Sequence, residues 1–250
     1  MKKTMIAALA AVAGLSGCVS NDTSGLLGAG MTAFEGVTLS KAELQAEASL
    51  SAKQMDTENK LSAPNSRYSK RLARLTEKLT SIDGTPLNFA VYESDEINAF
   101  AMPDGTVRVY SGLMDVMDDN ELMAVIGHEV GHVKFEHSLN QYKTAYLTEA
   151  AKQAAASTGG VLGSLASSQY GDIGAKFLNA QFSQQDELES DSYGVEVLCQ
   201  LGMDPYGAMR AQEKLMKHAG NGGGLFSSHP ATDTRIEKAR KAAAESSCGS

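Results

Sequence analysis

Positive charge is what this 250-residue chain has least of, with 22 Lys and Arg against 30 Asp and Glu and a net charge of −8. With no basic patch to displace counterions from phosphates, nucleic acid is excluded as a partner. Prolines number only five and 42% of residues are apolar, an ordinary globular composition, and the length suits one domain with a proper core. No internal repeat is evident, and beyond the first 20 residues no stretch is long and apolar enough to span a bilayer. Cysteine is confined to Cys18, Cys199 and Cys248.

Against this plain background stands His128-Glu129-Val130-Gly131-His132. Residues four apart share one face of a helix, so His128 and His132 can offer ring nitrogens to one tetrahedral zinc ion. Glu129 falls about 100° around the helix from His128, beside the metal rather than on it, where a general base belongs. Leu122, Val125, Ile126, Val130 and Val133 recur at helical spacing, and Asp118, Asp119 and Asn120 are candidate N-caps. The pattern therefore sits on an amphipathic helix.

Zinc needs a third protein ligand. One known arrangement sets a histidine six residues after the second, but Ser138 occupies that position and Phe135 stands where its glycine would be. His137 would point well away from His132 on a continuous helix and reads as structural. The acidic run Gln185-Asp186-Glu187-Leu188-Glu189-Ser190-Asp191 remains. Alone it would be a solvated helix face. Beside the histidine pair, Glu187 is the favoured ligand, and Asp191, one turn on, can accept the second ring N–H of a ligating histidine. Glu189 is expected on another face.

Glu121-Leu122-Met123-Ala124-Val125-Ile126-Gly127 leading into HEVGH, the later Glu187-x-Glu189-x-Asp191, Asn98-Ala99-Phe100-Ala101, and Ser228-His229-Pro230 with Arg235-Ile236 together resemble the gluzincin peptidases that include HtpX, the CAAX prenyl endopeptidases, Oma, BepA and LoiP. Within that family the chain is similar in character to lipoprotein proteases of the LoiP type. The resemblance covers roughly residues 40 to 245. It implies a zincin-like α+β fold, predominantly helical, with a small β-sheet beside the HExxH helix. It also implies one Zn²⁺ held by His128, His132 and Glu187, Glu129 as the catalytic base, and Asp191 behind the metal. His229 is implied near the metal, either stabilising the oxyanion or occupying the open zinc position, with Arg235 as an accompanying cation. Asn98 and Ala99 become candidates for pairing with an extended substrate. Ser190 departs from a usual alanine, and Ser183-Gln184 from a common Ser-Arg.

Lys2 and Lys3 precede an apolar run from Met5 to Leu15, which reads as a secretory signal peptide over 1–17. Leu15-Ser16-Gly17-Cys18 resembles the lipobox of bacterial lipoproteins, implying cleavage before Cys18 and its acylation, an anchor contributing about 0.8 kcal/mol per buried CH₂. Val19 stands where an aspartate would, by the enterobacterial sorting rule, favour retention in the inner membrane, so the periplasmic face of the outer membrane is the expected location. Residues 18–35, rich in Gly, Ser and Thr, read as a lipidated flexible tether, and 36–250 as the metallopeptidase domain. In an oxidising periplasm Cys199 and Cys248 form an even pair, and a disulfide between them would tie the C-terminal tail to the Glu187 helix.

Ser40 with Glu43 signals a first helix of the domain, and Leu72, Leu75 and Leu79 mark a second. Leu87, Phe89 and Val91 alternate as a strand, and Ala99 to Met102 with Thr106 to Tyr110 flank a Pro103-Asp104-Gly105 turn. The Ala/Ser/Gly-dense segment 145–168 reads as a helical hairpin over the cleft, and Gly220 to Gly224 as a mobile loop delivering His229. The expected function is a zinc endopeptidase acting on misfolded or unassembled envelope proteins, with a partner envelope protease or assembly machinery. The competing reading is a non-enzymatic, chaperone-like lipoprotein that binds clients and holds a structural zinc.

Overall fold

A computed structural model describes residues 23–157, 182–218 and 225–248. The signal peptide, Cys18, most of the second half of the expected hairpin and the Gly220–Gly224 run lie outside these residues. The described chain is mainly helical with a small sheet, a zincin-like α+β fold. Among the described residues no helix is long and apolar enough to cross a membrane.

Three helices come first: α1 (Thr23–Thr38), α2 (Lys41–Glu58) and α3 (Arg67–Thr76). α2 starts at a capping box in which the Ser40 hydroxyl accepts from the Glu43 N–H and the Glu43 carboxylate accepts from the Ser40 N–H. A two-stranded hairpin follows, β1 (Ser81–Ile82) and β2 (Thr85–Pro86), closed by Asp83 and Gly84, both at positive φ. The main sheet has β3 (Asn88–Tyr92), β4 (Ala99–Ala101) and β5 (Thr106–Tyr110) in the order β3-β5-β4, with β3 parallel and β4 antiparallel to β5.

Strand alternation divides this sheet between two apolar layers. Val91, Ala99, Val107 and Val109 face the larger core, shared with α3, α4 (Ser111–Val116) and α5 (Asp119–Lys134). Tyr92, Phe100 and Tyr110 face the smaller one, against Leu44, Ala48, Ala52 and Met55 of α2. Buried Arg108 pairs bidentately with Asp56 at 2.9 and 2.8 Å, and the Tyr92 hydroxyl donates to the same carboxylate at 2.7 Å, which fastens α2 to the sheet. Burial works against Asp56 ionising, but its hydrogen bonds from Arg108 and Tyr92 outweigh this and hold its pKa below the usual value.

The rest is helical: α6 (His137–Ser157), α7 (Gln184–Gln200), α8 (Gly207–His218), α9 (Leu225–Ser228) and α10 (Asp233–Glu245). α5 lies at the centre, buried from Glu121 to Val133, with β4 on one side and α7 and α8 on the other. Cys199 at the end of α7 is bonded to Cys248 beyond α10.

Of the tether expected over 18–35, residues 18–22 lie outside the described residues; from Thr23 the chain is helical, and α1 packs along α6. Gly and Thr content concealed an apolar set at Leu27, Met31 and Phe34, the i, i+4, i+7 spacing of a helix, and Ala29 is buried. Leu27, Met31, Phe34 and Val37 themselves remain 67–70% exposed.

Candidate active site

The site is built where α5 crosses α7. These helices approach more closely than large side chains would permit. A Cβ on Gly194 would lie 2.8 Å from the Ala124 carbonyl oxygen, and one on Gly127 would lie 3.0 Å from Gly194 Cα. Gly131, inside the HEVGH run, would meet Ser190 Cα at 3.0 Å. Glycine at these three places thus lets a carboxylate on α7 reach histidines on α5. We expect Gly194→Val to cost about 2–3 kcal/mol through overpacking, lowering Tm by about 5–10 °C, and to weaken zinc binding by parting the two helices. Calorimetry with a zinc titration checks both.

α5 begins at Asp118 in a capping box with Glu121, and that start fixes which face holds the histidines. His128 Nε2 and His132 Nε2 stand 3.1 Å apart. Glu187 Oε2 is 3.6 Å from the first and Glu187 Oε1 is 3.5 Å from the second. His229 Nδ1 completes the group at 3.3 Å from His128 Nε2 and 2.7 Å from Glu187 Oε1. A tetrahedral zinc with ligands at about 2.0–2.3 Å would separate its donor atoms by about 3.3–3.8 Å. The four buried donors all lie within 4.8 Å of one another; the 3.3, 3.5 and 3.6 Å separations fall in that range, the 3.1 and 2.7 Å ones fall short of it, and the N/O set suits the borderline-soft preference of zinc.

Glu129 lies off this group. Its Oε2 accepts from the Ala101 N–H of β4 at 3.2 Å, while Oε1 is buried and, among the described residues, has no hydrogen-bond partner, His229 Nε2 lying 3.9 Å away. A buried lone pair left unmatched beside a metal group is where a reacting water's proton could go. Burial pushes the Glu129 carboxyl above its ordinary range, with His229 and His128 pulling the other way. For Glu187 burial also works upward, but His229 and His132 hold it well below the usual range. His229 is opposed by burial, yet the carboxylates of Glu129 and Glu187 raise it.

Behind the donors, Asp191 Oδ1 is 2.9 Å from His128 Nδ1. Arg235 grips Asp191 through Nε and Nη2, both at 2.7 Å, and its Nη1 lies 2.7 Å from Glu187 Oε2. Burial favours protonation of Asp191, but Arg235 and His128 outweigh it. Arg235 is thus committed to two carboxylates of the site rather than aimed at a substrate oxyanion. Gln212 adds a donor to Asp191 at 3.1 Å.

Two features differ from the sequence expectation. His137 does not point away: its Nδ1 is 3.0 Å from His132 Nδ1, and it is 3% exposed. α5 ends at Lys134, and Glu136 takes a positive φ of 55°, so the chain turns and begins α6 at His137 instead of continuing the helix. Glu189 then reaches His137 Nε2 at 3.3 Å. Phe182 was missed altogether. Its ring stacks on His132 at 3.9 Å between centroids and lies 5.4 Å from His229, a contact with no signal in a lone aromatic before a cap residue. Asn98 and Ala99 are buried in the β4 region and, with Ala101, Glu129, Phe182 and His229, line one cavity.

Comparison with known proteins agrees with this geometry. The chain is 41% identical to Metalloprotease LoiP of Escherichia coli (strain K12) over 95% of both chains. It is 38% identical to Metalloprotease YcaL of the same strain, over 95% of this chain and 96% of that one. With the Beta-barrel assembly-enhancing protease of that strain it shares 31% identity over 68% of this chain and 37% of the other. Residues 62–243 match Peptidase family M48. With a HExxH helix, a glutamate from a second helix and a donor set that fits zinc, the chain belongs to peptidase family M48 and is a zinc metalloendopeptidase.

Proposed function

We propose that this chain is a lipid-anchored endopeptidase of the bacterial envelope that hydrolyses peptide bonds of misfolded or unassembled proteins. The carrying observation is the convergence of His128, His132 and Glu187 on one point, with Glu129 Oε1, buried and without a hydrogen bond among the described residues, beside it. Zinc in such a site acts as a Lewis acid on a peptide carbonyl and lowers the pKa of water to about 7. Glu129 takes the proton of the attacking water and returns it to the leaving amine. Among the described residues β4 is an edge strand with β5 on one side, and an extended substrate adds to its other side near Asn98 and Ala99. Edge pairing uses main-chain groups, which suits unfolded clients of varied sequence.

His229 gives this enzyme a resting state. Catalytic zinc keeps one position open, whereas here a fourth protein donor occupies the group. His229 must withdraw before a substrate carbonyl can approach, and a client or a partner protein of the envelope is the agent that moves it. A purely structural zinc would also have four ligands, but it would leave Glu129 without a task.

Anchoring by acylated Cys18 at the periplasmic face of the outer membrane completes the proposal. α1 begins five residues after Cys18, and its exposed Leu27, Met31, Phe34 and Val37 offer apolar surface within reach of the bilayer. The related Beta-barrel assembly-enhancing protease supports a place in outer-membrane quality control.

The test is cleavage of an unfolded protein by the purified full chain, with chelation expected to abolish it and zinc to restore it. His229→Ala is expected to raise the initial rate about tenfold at unchanged zinc stoichiometry, the factor that a bias of about 1.4 kcal/mol toward the closed state imposes. A fall in rate would instead assign His229 to the transition state.

A further inference from the structure

The two α5 histidines are held from behind in different ways. His128 Nδ1 meets the Asp191 carboxylate, itself fixed by Arg235 and Gln212. Among the described residues His132 has no carboxylate on its Nδ1. It meets another imidazole there, His137 Nδ1 at 3.0 Å, with Ser190 Oγ 3.4 Å from that same nitrogen.

Two ring nitrogens form a hydrogen bond only when one carries the proton and the other does not. His132 Nε2 faces His128 Nε2 at 3.1 Å and Glu187 Oε1 at 3.5 Å, so this is the nitrogen whose lone pair serves the metal. Its proton must then sit on Nδ1, which makes His137 Nδ1 the acceptor. The proton of a neutral His137 is consequently on Nε2. There Glu189 Oε2 lies at 3.3 Å and Asp186 Oδ1 at 3.6 Å.

We propose that His137 and Glu189 form a relay that fixes the tautomer and ring orientation of His132, making His137 a positioning residue for the metal site. The inference rests on the reading of His132 as a zinc ligand. An imidazole between ligand and acid has a physical advantage. Glu129, Glu187 and Asp191 already place three carboxylates in the interior, and the relay keeps the fourth at the rim, where the Glu189 side chain is 43% exposed and His137 only 3%. Glu187, Glu189 and Asp191 of α7 thus divide the site among them: one at the metal, one behind each histidine.

The experiment is zinc affinity measured by competition with a chelating dye, on the full chain. His137→Ala is expected to weaken binding about 10- to 100-fold, the usual effect of losing such a partner. His137→Asn, whose Oδ1 takes the place of the accepting nitrogen, is expected to recover most of that loss. Glu189→Ala, on an exposed side chain and so without risk to the fold, is expected to weaken binding by about threefold or more. Unchanged affinity in His137→Ala or Glu189→Ala, or a His137→Asn as weak as His137→Ala, overturns the relay. His132→Ala separates the premise: zinc retained there at wild-type affinity removes the ligand reading itself, whereas zinc lost there and kept in His137→Ala removes the relay alone.

Discussion

Glu129→Gln is expected to bind one zinc per chain, like the wild type, and to cleave an unfolded protein about 10²- to 10⁴-fold more slowly, the contribution typical of a positioned general base. The substitution keeps the shape of the side chain. Its carbonyl oxygen can still accept from the Ala101 N–H, which lies 3.2 Å from Glu129 Oε2, so β4 and α5 stay joined. What it removes is basicity at Oε1, the buried oxygen that has no hydrogen-bond partner among the described residues. Burial raises the Glu129 carboxyl and makes it a stronger base than an exposed glutamate, which is the property the amide lacks. Metal analysis and progress curves on the same preparations decide the matter. Zinc retained with undiminished cleavage would remove Glu129 from the chemistry, and zinc lost would make it a ligand.

Glu187→Gln is expected to lose zinc affinity by more than about 100-fold, beyond the range reached by removing an outer partner, and to lose cleavage with it. An amide oxygen is a poorer donor than a carboxylate toward a dication. Moreover, the Glu187 carboxylate balances the buried guanidinium of Arg235, whose Nη1 lies 2.7 Å from it. Without that charge Arg235 retains only Asp191 within the site. Because a ligand that binds the folded state stabilises it by RT ln(1 + [L]/Kd), the rise in Tm that zinc gives the wild type should largely vanish in the variant. The metal-free variant should itself unfold at a lower temperature than the metal-free wild type, because buried Arg235 has lost one of its two carboxylates, so the zinc-induced rise in each protein is the quantity compared. Wild-type zinc affinity in Glu187→Gln would require another third ligand.

Helix starts were legible because they are local. Ser40 with Glu43 and Asp118 with Glu121 close their boxes within four residues, and alternation at Leu87, Phe89 and Val91 needs nothing distant to mark β3. Reading failed where the backbone did something the side-chain pattern does not encode. His137 was placed by extending α5 past Lys134, but Glu136 in the left-handed region redirects the chain. The Gly and Thr content of residues 23–35 suggests an irregular segment, whereas the spacing of Leu27, Met31 and Phe34 is that of the helix α1. Gly127, Gly131 and Gly194 have meaning only once two helices touch.

By itself the sequence determined the chemistry: two imidazoles one turn apart with an acid between them, and a second helix carrying Glu187 and Asp191, because 3.6 residues per turn fixes those relations without any neighbour. The resemblance already implied Asp191 and His229 at the site; tertiary structure alone decided that His137 stands behind His132, that Arg235 grips Asp191 and Glu187, and that His229 Nδ1 lies within the donor group. His229 is 42 residues from Glu187 and 101 from His128, His137 is 52 from Glu189, and Arg235 is 44 from Asp191. Contacts across such separations are set by the close approach of α5 to α7 and by the turn at Glu136, and no local period reports them.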